Sequence, residues 1–165
     1  MLRRKKTKIA ALLLSLAMAV LAFVPVSPED VGVYVGSHVW GRFTYHFFHA
    51  GFIHLMLNLW CFLSCVFLAD VSAGALAAAF VIACSVPALS PVPTVGLSGV
   101  CYAMLGFIML RSPGKLRYNI YIAISLILPT VLLPGSVNNF IHAYCYITAV
   151  AVGLAVNVIR HDKRS

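Results

Sequence analysis

The chain has 165 residues, of which 62% are hydrophobic and 10% are charged, and its net charge is +8. Soluble domains are typically about 45–50% apolar and about 25% charged, so a chain this short and apolar cannot hide its side chains in a water-facing globule. The composition excludes a soluble globular protein and predicts an integral membrane protein in contact with the lipid bilayer.

Six apolar segments, separated by Pro, Gly and charge clusters, predict an all-α, polytopic membrane protein. Each is close to the roughly 20 residues that cross about 30 Å of hydrocarbon as a helix. The first segment also has the form of a signal peptide, but no small-residue cleavage motif follows it, so we expect it to be retained. The predicted spans are residues 9–26, 51–69, 73–90, 95–110, 118–134 and 138–159, in a membrane domain over 9–159 between basic tails at 1–8 and 160–165.

The basic residues fall almost entirely on one side of these spans. Five precede the first span, three lie between the fourth and fifth, three follow the sixth, and only Arg42 lies on the other side. Basic loops are retained in the cytoplasm, so we expect both termini to be cytoplasmic, with a form that fits a bacterial inner membrane. The charge therefore indicates topology and predicts no nucleic-acid partner. The five cysteines lie in spans without CxxC spacing and predict no zinc site.

Four polar side chains stand out within the apolar spans. His54 and Asn58 lie near the start of the second span, Ser98 near the start of the fourth, and His142 near the start of the sixth. These three spans run in the same direction, so all four residues are predicted at one depth just below the outer face. Polar groups at such a depth usually face a protein interior or a water-filled cavity.

Stripes of small residues predict that the fourth and sixth spans cross closely. Membrane helices approach each other through such stripes, and this crossing would bring the Ser98 hydroxyl within hydrogen-bond reach of the His142 imidazole. The stripe residues are Gly99, Ala103 and Gly106 in the fourth span and Cys145, Ala149 and Gly153 in the sixth.

A serine beside a histidine has the chemistry of a hydrolase. Histidine can take the hydroxyl proton near neutral pH, and the activated oxygen can attack a carbonyl. The oxyanion that forms needs fixed donors, which His54, the Asn58 amide and the Ser98 backbone N–H could supply. No acidic residue lies within a span, so a Ser–His dyad is predicted, with Tyr102 packed on the His142 ring.

The residues resemble the rhomboid family of intramembrane serine proteases. The matching pieces are HAGFIHLMLN, GLSG with Tyr102, His142 and the loop WGRFTYHFFH, in the family's order along six spans. The resemblance implies a six-transmembrane-helix rhomboid-like bundle with Ser98 as nucleophile, His142 as general base, and an oxyanion hole of His54, Asn58 and the Ser98 amide. It implies supporting roles for Gly96, Gly99, Tyr102 and His49, and a mobile fifth helix.

The activity that the resemblance implies is an intramembrane serine endopeptidase. Its partners would be transmembrane protein substrates, cleaved near the outer membrane face, and it would need no cofactor and no metal. With no soluble domain before the first span, we expect a minimal family core.

The sequence departs from the family pattern in two places. Gly41 separates Trp40 from Arg42, where the family has an adjacent pair, so the resemblance leaves the anchoring role of Arg42 open. Cys145 and Ala149 stand where the family usually has glycine, which predicts a looser contact between the fourth and sixth helices.

Two other functions remain as alternatives. One is a catalytically inactive rhomboid-like protein that binds membrane-protein clients, although this chain retains both Ser98 and His142. The other is a haem-binding or metal-binding membrane protein that uses pairs among His49, His54 and His142. The remaining histidines, His38, His46 and His161, are expected to be solvated or interfacial.

Overall fold

The described part of the chain is entirely helical apart from loops and one isolated bridge. A computed structural model describes residues 2–132 and 137–162, except for the side chains of residues 2–3 and 158–162. Two helices are single turns, α2 (Pro28–Val31) and α3 (Gly41–Thr44). The longer helices are α1 (Leu2–Leu21), α4 (Phe52–Phe67), α5 (Ala73–Cys84), α6 (Ser98–Met109), α7 (Lys115–Leu132) and α8 (Asn139–Asp162).

Each longer helix overlaps one of the six predicted spans, but the bounds differ. Helix α1 begins within the predicted basic tail, and α5 ends at Cys84, well before residue 90. The segment 85–97 contains three prolines, which lack a backbone N–H and disfavour a helix before them, so it forms a loop. Residues 133–134 of the fifth span, and residues 1 and 163–165 of the tails, lie outside the described residues.

Helix length separates the apolar helices into two groups. Lys115–Leu132 and, within α8, Asn139–Asn157 are long and apolar enough to cross a membrane. Helices α4, α5 and α6 are apolar but shorter. Many large apolar side chains point outward, for example Ile53 of α4, which is 75% exposed, and Val131 of α7, which is 70% exposed.

Helix α6 occupies the centre of the bundle. It packs against α4, α5, α7 and α8, and its most extensive contact is with α8. Its buried side chains include Val100, Ala103 and Met104, none of which is exposed. Helix α7, in contrast, lies at the periphery and buries only Ile122 among its described residues.

The crossing of α6 and α8 is close even though Cys145 and Ala149 are larger than glycine. A Cβ atom at Gly99 would come within 3.3 Å of Cys145 Sγ, and one at Gly106 within 2.9 Å of Ala149 Cβ. The side chains of Cys145 and Ala149 are fully buried. Glycines on α6 thus supply the space that the larger residues on α8 occupy.

The segment between α1 and α4 folds over the loop that precedes α6. Val33 and Thr94 form an antiparallel bridge, and the Gly96 amide donates to the Tyr45 carbonyl over 2.8 Å. Arg42 donates from Nη1 to the Val86 carbonyl, so this arginine does anchor the segment despite the inserted Gly41. These contacts fix the loop from which the Ser98 motif begins.

His46 is buried in this interface, and the expectation that it is solvated or interfacial is wrong. Only 1% of its surface is exposed, and its Nε2 lies 3.3 Å from Cys84 Sγ. The preceding residue, Tyr45, is also buried and donates to the Ala83 carbonyl over 3.0 Å. The segment folds back onto the end of α5, which local sequence does not reveal. His38 is exposed, as expected.

Candidate active site

The structure brings Ser98 and His142 into direct contact. Ser98 is the first residue of α6, and His142 lies in the first turn of α8. The close crossing of the two helices leaves Ser98 Oγ 2.8 Å from His142 Nε2, a hydrogen-bond distance. His142 Nδ1 is buried and has no hydrogen-bond partner among residues 2–132 and 137–162. The described residues therefore form a Ser–His pair without an acid behind the imidazole.

Tyr102 packs against one face of the His142 imidazole. It lies one helical turn after Ser98, and its ring stacks on His142 with centroids 4.5 Å apart and an angle of 14° between the planes. Stacked aromatic rings in this arrangement attract each other and restrict rotation of the imidazole about its side-chain bonds. The predicted packing of Tyr102 on His142 agrees with this geometry.

His54 and Asn58 lie beside the turn that leads into Ser98. Gly96 has φ +133°, and a Cβ there would come within 2.7 Å of His54 Cε1 and 3.8 Å of Asn58 Nδ2. Glycine is therefore required both by the backbone conformation and by the close approach to His54. Asn58 is buried, and one N–H of its amide donates to the His54 carbonyl over 2.8 Å. An amide has two N–H groups, so the second remains for another acceptor.

His49 supports the same turn from the segment before α4. Its Nε2 accepts a hydrogen bond from the Leu97 amide over 3.3 Å, and its ring meets that of His54 edge to face at 5.4 Å. Burial, and then the nearby His54, lower the pKa of His49 to about 4. His49 is thus neutral at physiological pH, as its role as an acceptor requires, and it connects the first loop to the Ser98 motif.

A cleft opens next to these residues at the end of the bundle where α4, α6 and α8 begin. Its volume is about 480 Å³, and His54 contributes to its wall. Two polar loop residues close one side, where Asn138 Nδ2 donates to Thr94 Oγ1 over 2.9 Å. The cleft therefore lies between His54, the loop that leads to Ser98 and the start of α8.

The histidines considered for haem or metal binding are used in other contacts. His142 directs Nε2 to Ser98, and His49 directs Nε2 to the Leu97 amide. Within the described part of the chain, no group of three or more His, Cys, Asp or Glu side chains is arranged to hold a metal ion.

The sequence reasoning missed one polar residue at this site. Ser125 of α7 accepts a hydrogen bond from the Tyr102 hydroxyl, over 3.0 Å to its Oγ and 3.2 Å to its carbonyl oxygen. A serine within the apolar stretch AISLIL is a signal that could have been used, because polar groups in spans usually face a protein interior.

The family model described as Rhomboid domain matches residues 36–162, a region that contains α4–α8 and every residue of the site. A search of curated proteins finds no match. The family match covers well over half of the chain and agrees with the apolar helices. The chain therefore belongs to the rhomboid family and is a polytopic membrane protein.

Proposed function

We propose that this protein is an intramembrane serine endopeptidase that cleaves transmembrane segments of membrane proteins near the extracytoplasmic face. The observation that carries the proposal is the 2.8 Å contact between Ser98 Oγ and His142 Nε2, side chains from two separate helices. Rhomboid family members are typically serine proteases, and the family generally acts on membrane proteins.

In the proposed mechanism His142 acts first as a base and then as an acid. Its Nε2 takes the Ser98 proton while Oγ bonds to the carbonyl carbon of the scissile peptide. The resulting imidazolium gives that proton to the leaving amine as the C–N bond breaks, which leaves an acyl-enzyme. His142 then takes a proton from water as the water oxygen attacks the ester carbonyl. It gives that proton to Ser98 Oγ as the C–O bond breaks, which releases the carboxyl product and regenerates the enzyme.

The oxyanion would be stabilised by donors around the turn before α6. Ser98 begins α6, and the first N–H groups of a helix have no partner within the helix. The positive end of the helix dipole also lies there. The second N–H of Asn58 and the ring of His54, both beside Gly96, are the side-chain donors that we assign to the hole. Removing one such donor typically costs about 10²–10³-fold in kcat.

The position of the site supports cleavage near one membrane face. Ser98, His142 and His54 all lie in the first turns of their helices, beside an open cleft. A peptide bond within a stable helix is shielded by its own hydrogen bonds, so suitable substrates are helices that unwind easily at this depth. We place this face outside and both termini in the cytoplasm, because basic flanks are retained there. A C-terminal fluorescent fusion that does not fluoresce would contradict this orientation.

Reaction with a fluorophosphonate probe tests whether Ser98 is activated. We expect the purified protein in detergent to be labelled at Ser98, as located by mass spectrometry of the modified peptide. Ser98→Ala should abolish labelling, and His142→Ala should slow it by about 10²-fold or more, the usual contribution of a general base. Labelling of wild type that is unaffected by His142→Ala would contradict the dyad. A folded wild-type protein that neither reacts nor cleaves would be a catalytically inactive homologue.

A further inference from the structure

Helix α7 is held to the rest of the bundle by a small apolar cluster around Ile122 and by several polar side chains. Only Ile122 is buried among its described residues. The hydrogen bonds that connect α7 to α6 and α8 include Tyr118 to the Leu105 carbonyl, Tyr146 to Asn119, Asn139 to Thr130, and Tyr102 to Ser125. Of these four, the Tyr102–Ser125 contact alone involves a residue that touches the His142 ring.

Tyr102 therefore links the His142 imidazole directly to α7. The ring of Tyr102 stacks on the His142 ring, with their centroids 4.5 Å apart. The hydroxyl of Tyr102 donates to Ser125 Oγ over 3.0 Å and lies 3.2 Å from the Ser125 carbonyl oxygen. The hydrogen bond fixes the position of the hydroxyl end of the rigid ring, and thereby the place at which the ring can stack on the imidazole.

The Ser125 carbonyl is available to Tyr102 because of a proline four residues later. In a regular helix the carbonyl of Ser125 would accept from the N–H of residue 129, but Pro129 has none. Such a carbonyl in a membrane helix needs another donor. The Ser125 hydroxyl donates to the Ile122 carbonyl over 2.8 Å, which leaves its lone pairs facing Tyr102. Ser125 therefore offers two acceptors to Tyr102, its hydroxyl oxygen and the carbonyl oxygen that Pro129 leaves free.

We propose that Ser125, with its carbonyl freed by Pro129, is a positioning residue that holds Tyr102 and thereby orients His142 toward Ser98. This inference rests on the proposed function, in which His142 is the base. Through this contact, the reactivity of Ser98 depends on the position of α7. Ser125 touches neither the substrate nor the reacting atoms and acts only through the Tyr102 hydroxyl.

The rate of Ser98 labelling by a small fluorophosphonate tests this linkage. Tyr102→Phe keeps the ring but removes the hydroxyl, and we expect labelling to slow by about threefold to twentyfold, the range for loss of one hydrogen bond between membrane helices. Ser125→Ala leaves the carbonyl acceptor and should slow labelling less. Adding Pro129→Ala to Ser125→Ala restores a competing N–H and should bring the rate to that of Tyr102→Phe.

A combined variant and a matched control separate positioning from general packing. In the Tyr102→Phe background, Ser125→Ala should have no further effect, since its acceptor then has no donor. Tyr118→Phe removes another hydrogen bond of α7, to the Leu105 carbonyl, and should leave the labelling rate unchanged. An equal effect of Ser125→Ala in both backgrounds, or an effect no different from that of Tyr118→Phe, would overturn the proposal.

A second measurement does not depend on activity. In protein with isotope-labelled histidine, the His142 ring signals, assigned by their loss in His142→Ala, should be shifted upfield by the Tyr102 ring current. Ser125→Ala should reduce that shift and Tyr118→Phe should not. An unchanged shift in Ser125→Ala and in Tyr102→Phe would reject the positioning role. Loss of the shift in a protein that shows no labelling at all would instead mean that the linkage exists and the proposed function fails.

Discussion

At the scale of single residues, Gly96 determines how closely the turn before α6 approaches His54. Its φ of +133° is one that side chains rarely adopt, and a Cβ would come within 2.7 Å of the His54 ring. We expect Gly96→Ala to displace His54 and slow Ser98 labelling by at least about tenfold, the effect of about 1.4 kcal/mol.

Gly36 provides the matched control for this prediction. It also has a positive φ, +83°, but nothing lies within 4 Å of a Cβ built there. Gly36→Ala should therefore cost some stability and leave the labelling rate close to that of wild type. Equal labelling rates for the Gly36→Ala and Gly96→Ala proteins would mean that the contact with His54 does not matter.

His46 makes a second prediction at this scale, on stability against pH. Burial lowers the pKa of His46 from its ordinary value of 6.5 to about 4. Between these values the unfolded chain binds a proton that the folded protein does not, so the free energy of unfolding falls as the pH falls. We expect a loss of about 2 kcal/mol for this residue from about pH 7 to about pH 5, measured by unfolding in mixed micelles.

The variant His46→Asn should flatten that pH dependence even if it lowers stability at every pH. His38→Asn is the control, since the His38 side chain is exposed and its loss should leave the slope as in wild type. A slope that persists unchanged in His46→Asn would show that other groups cause the acid sensitivity.

At the scale of helices, the α6–α8 crossing sets the distance between Ser98 and His142. A Cβ at Gly106 would come within 2.6 Å of the Tyr146 backbone oxygen, which cannot move without shifting α8. We expect Gly106→Ala to destabilise the protein by about 1–3 kcal/mol, as overpacking of a close contact does, and to slow Ser98 labelling.

Gly74 of α5 offers the comparison for this helix contact. Nothing lies within 4 Å of a Cβ at Gly74, so Gly74→Ala should keep both stability and labelling near the wild-type values. If Gly106→Ala is as stable and as reactive as Gly74→Ala, the two helices do not need this close approach.

The sequence allowed much of this helix arrangement to be predicted, because small-residue stripes and helical spacing are local patterns. The stripes predicted a close crossing that brings Ser98 to His142, and helical spacing placed Tyr102 one turn below Ser98; the structure has both residues in contact with His142. Contacts that depend on how loops fold back could not be predicted in this way. The burial of His46 against Cys84 and the contact of Arg42 with Val86 join segments about 40 residues apart in the chain.

The helix ends were also harder to predict than the helices. Because residues 86–89 are apolar apart from Pro87, hydropathy extended the third predicted span to residue 90. The helix ends at Cys84, since Pro87 and the prolines after it cannot continue it. The Tyr102–Ser125 bond was missed for a different reason. A single serine in an apolar span carries little information until its partner helix is known. From the sequence alone, Pro129 indicates a missing hydrogen bond in the helix but not which side chain replaces it.

At the scale of the whole molecule, the helices bring three N-terminal turns together at one end of the bundle. That end holds the cleft, the Ser98–His142 pair and the turn at Gly96. The opposite end holds basic residues between α6 and the start of α7, such as Arg111 and Lys115. This separation fits a protein whose chemistry occurs near one membrane face while its basic loops stay on the other.

Cleavage of a single-span reporter protein in liposomes tests the central claim most directly. The reporter should carry a helix-destabilising segment with alanine near its outer end, and the cut should be located by mass spectrometry of the products. We predict cleavage in the outer half of the span by the wild-type protein, and none by equally folded Ser98→Ala or His142→Ala. Full cleavage by Ser98→Ala, or an intact reporter with folded wild-type protein, would contradict the account.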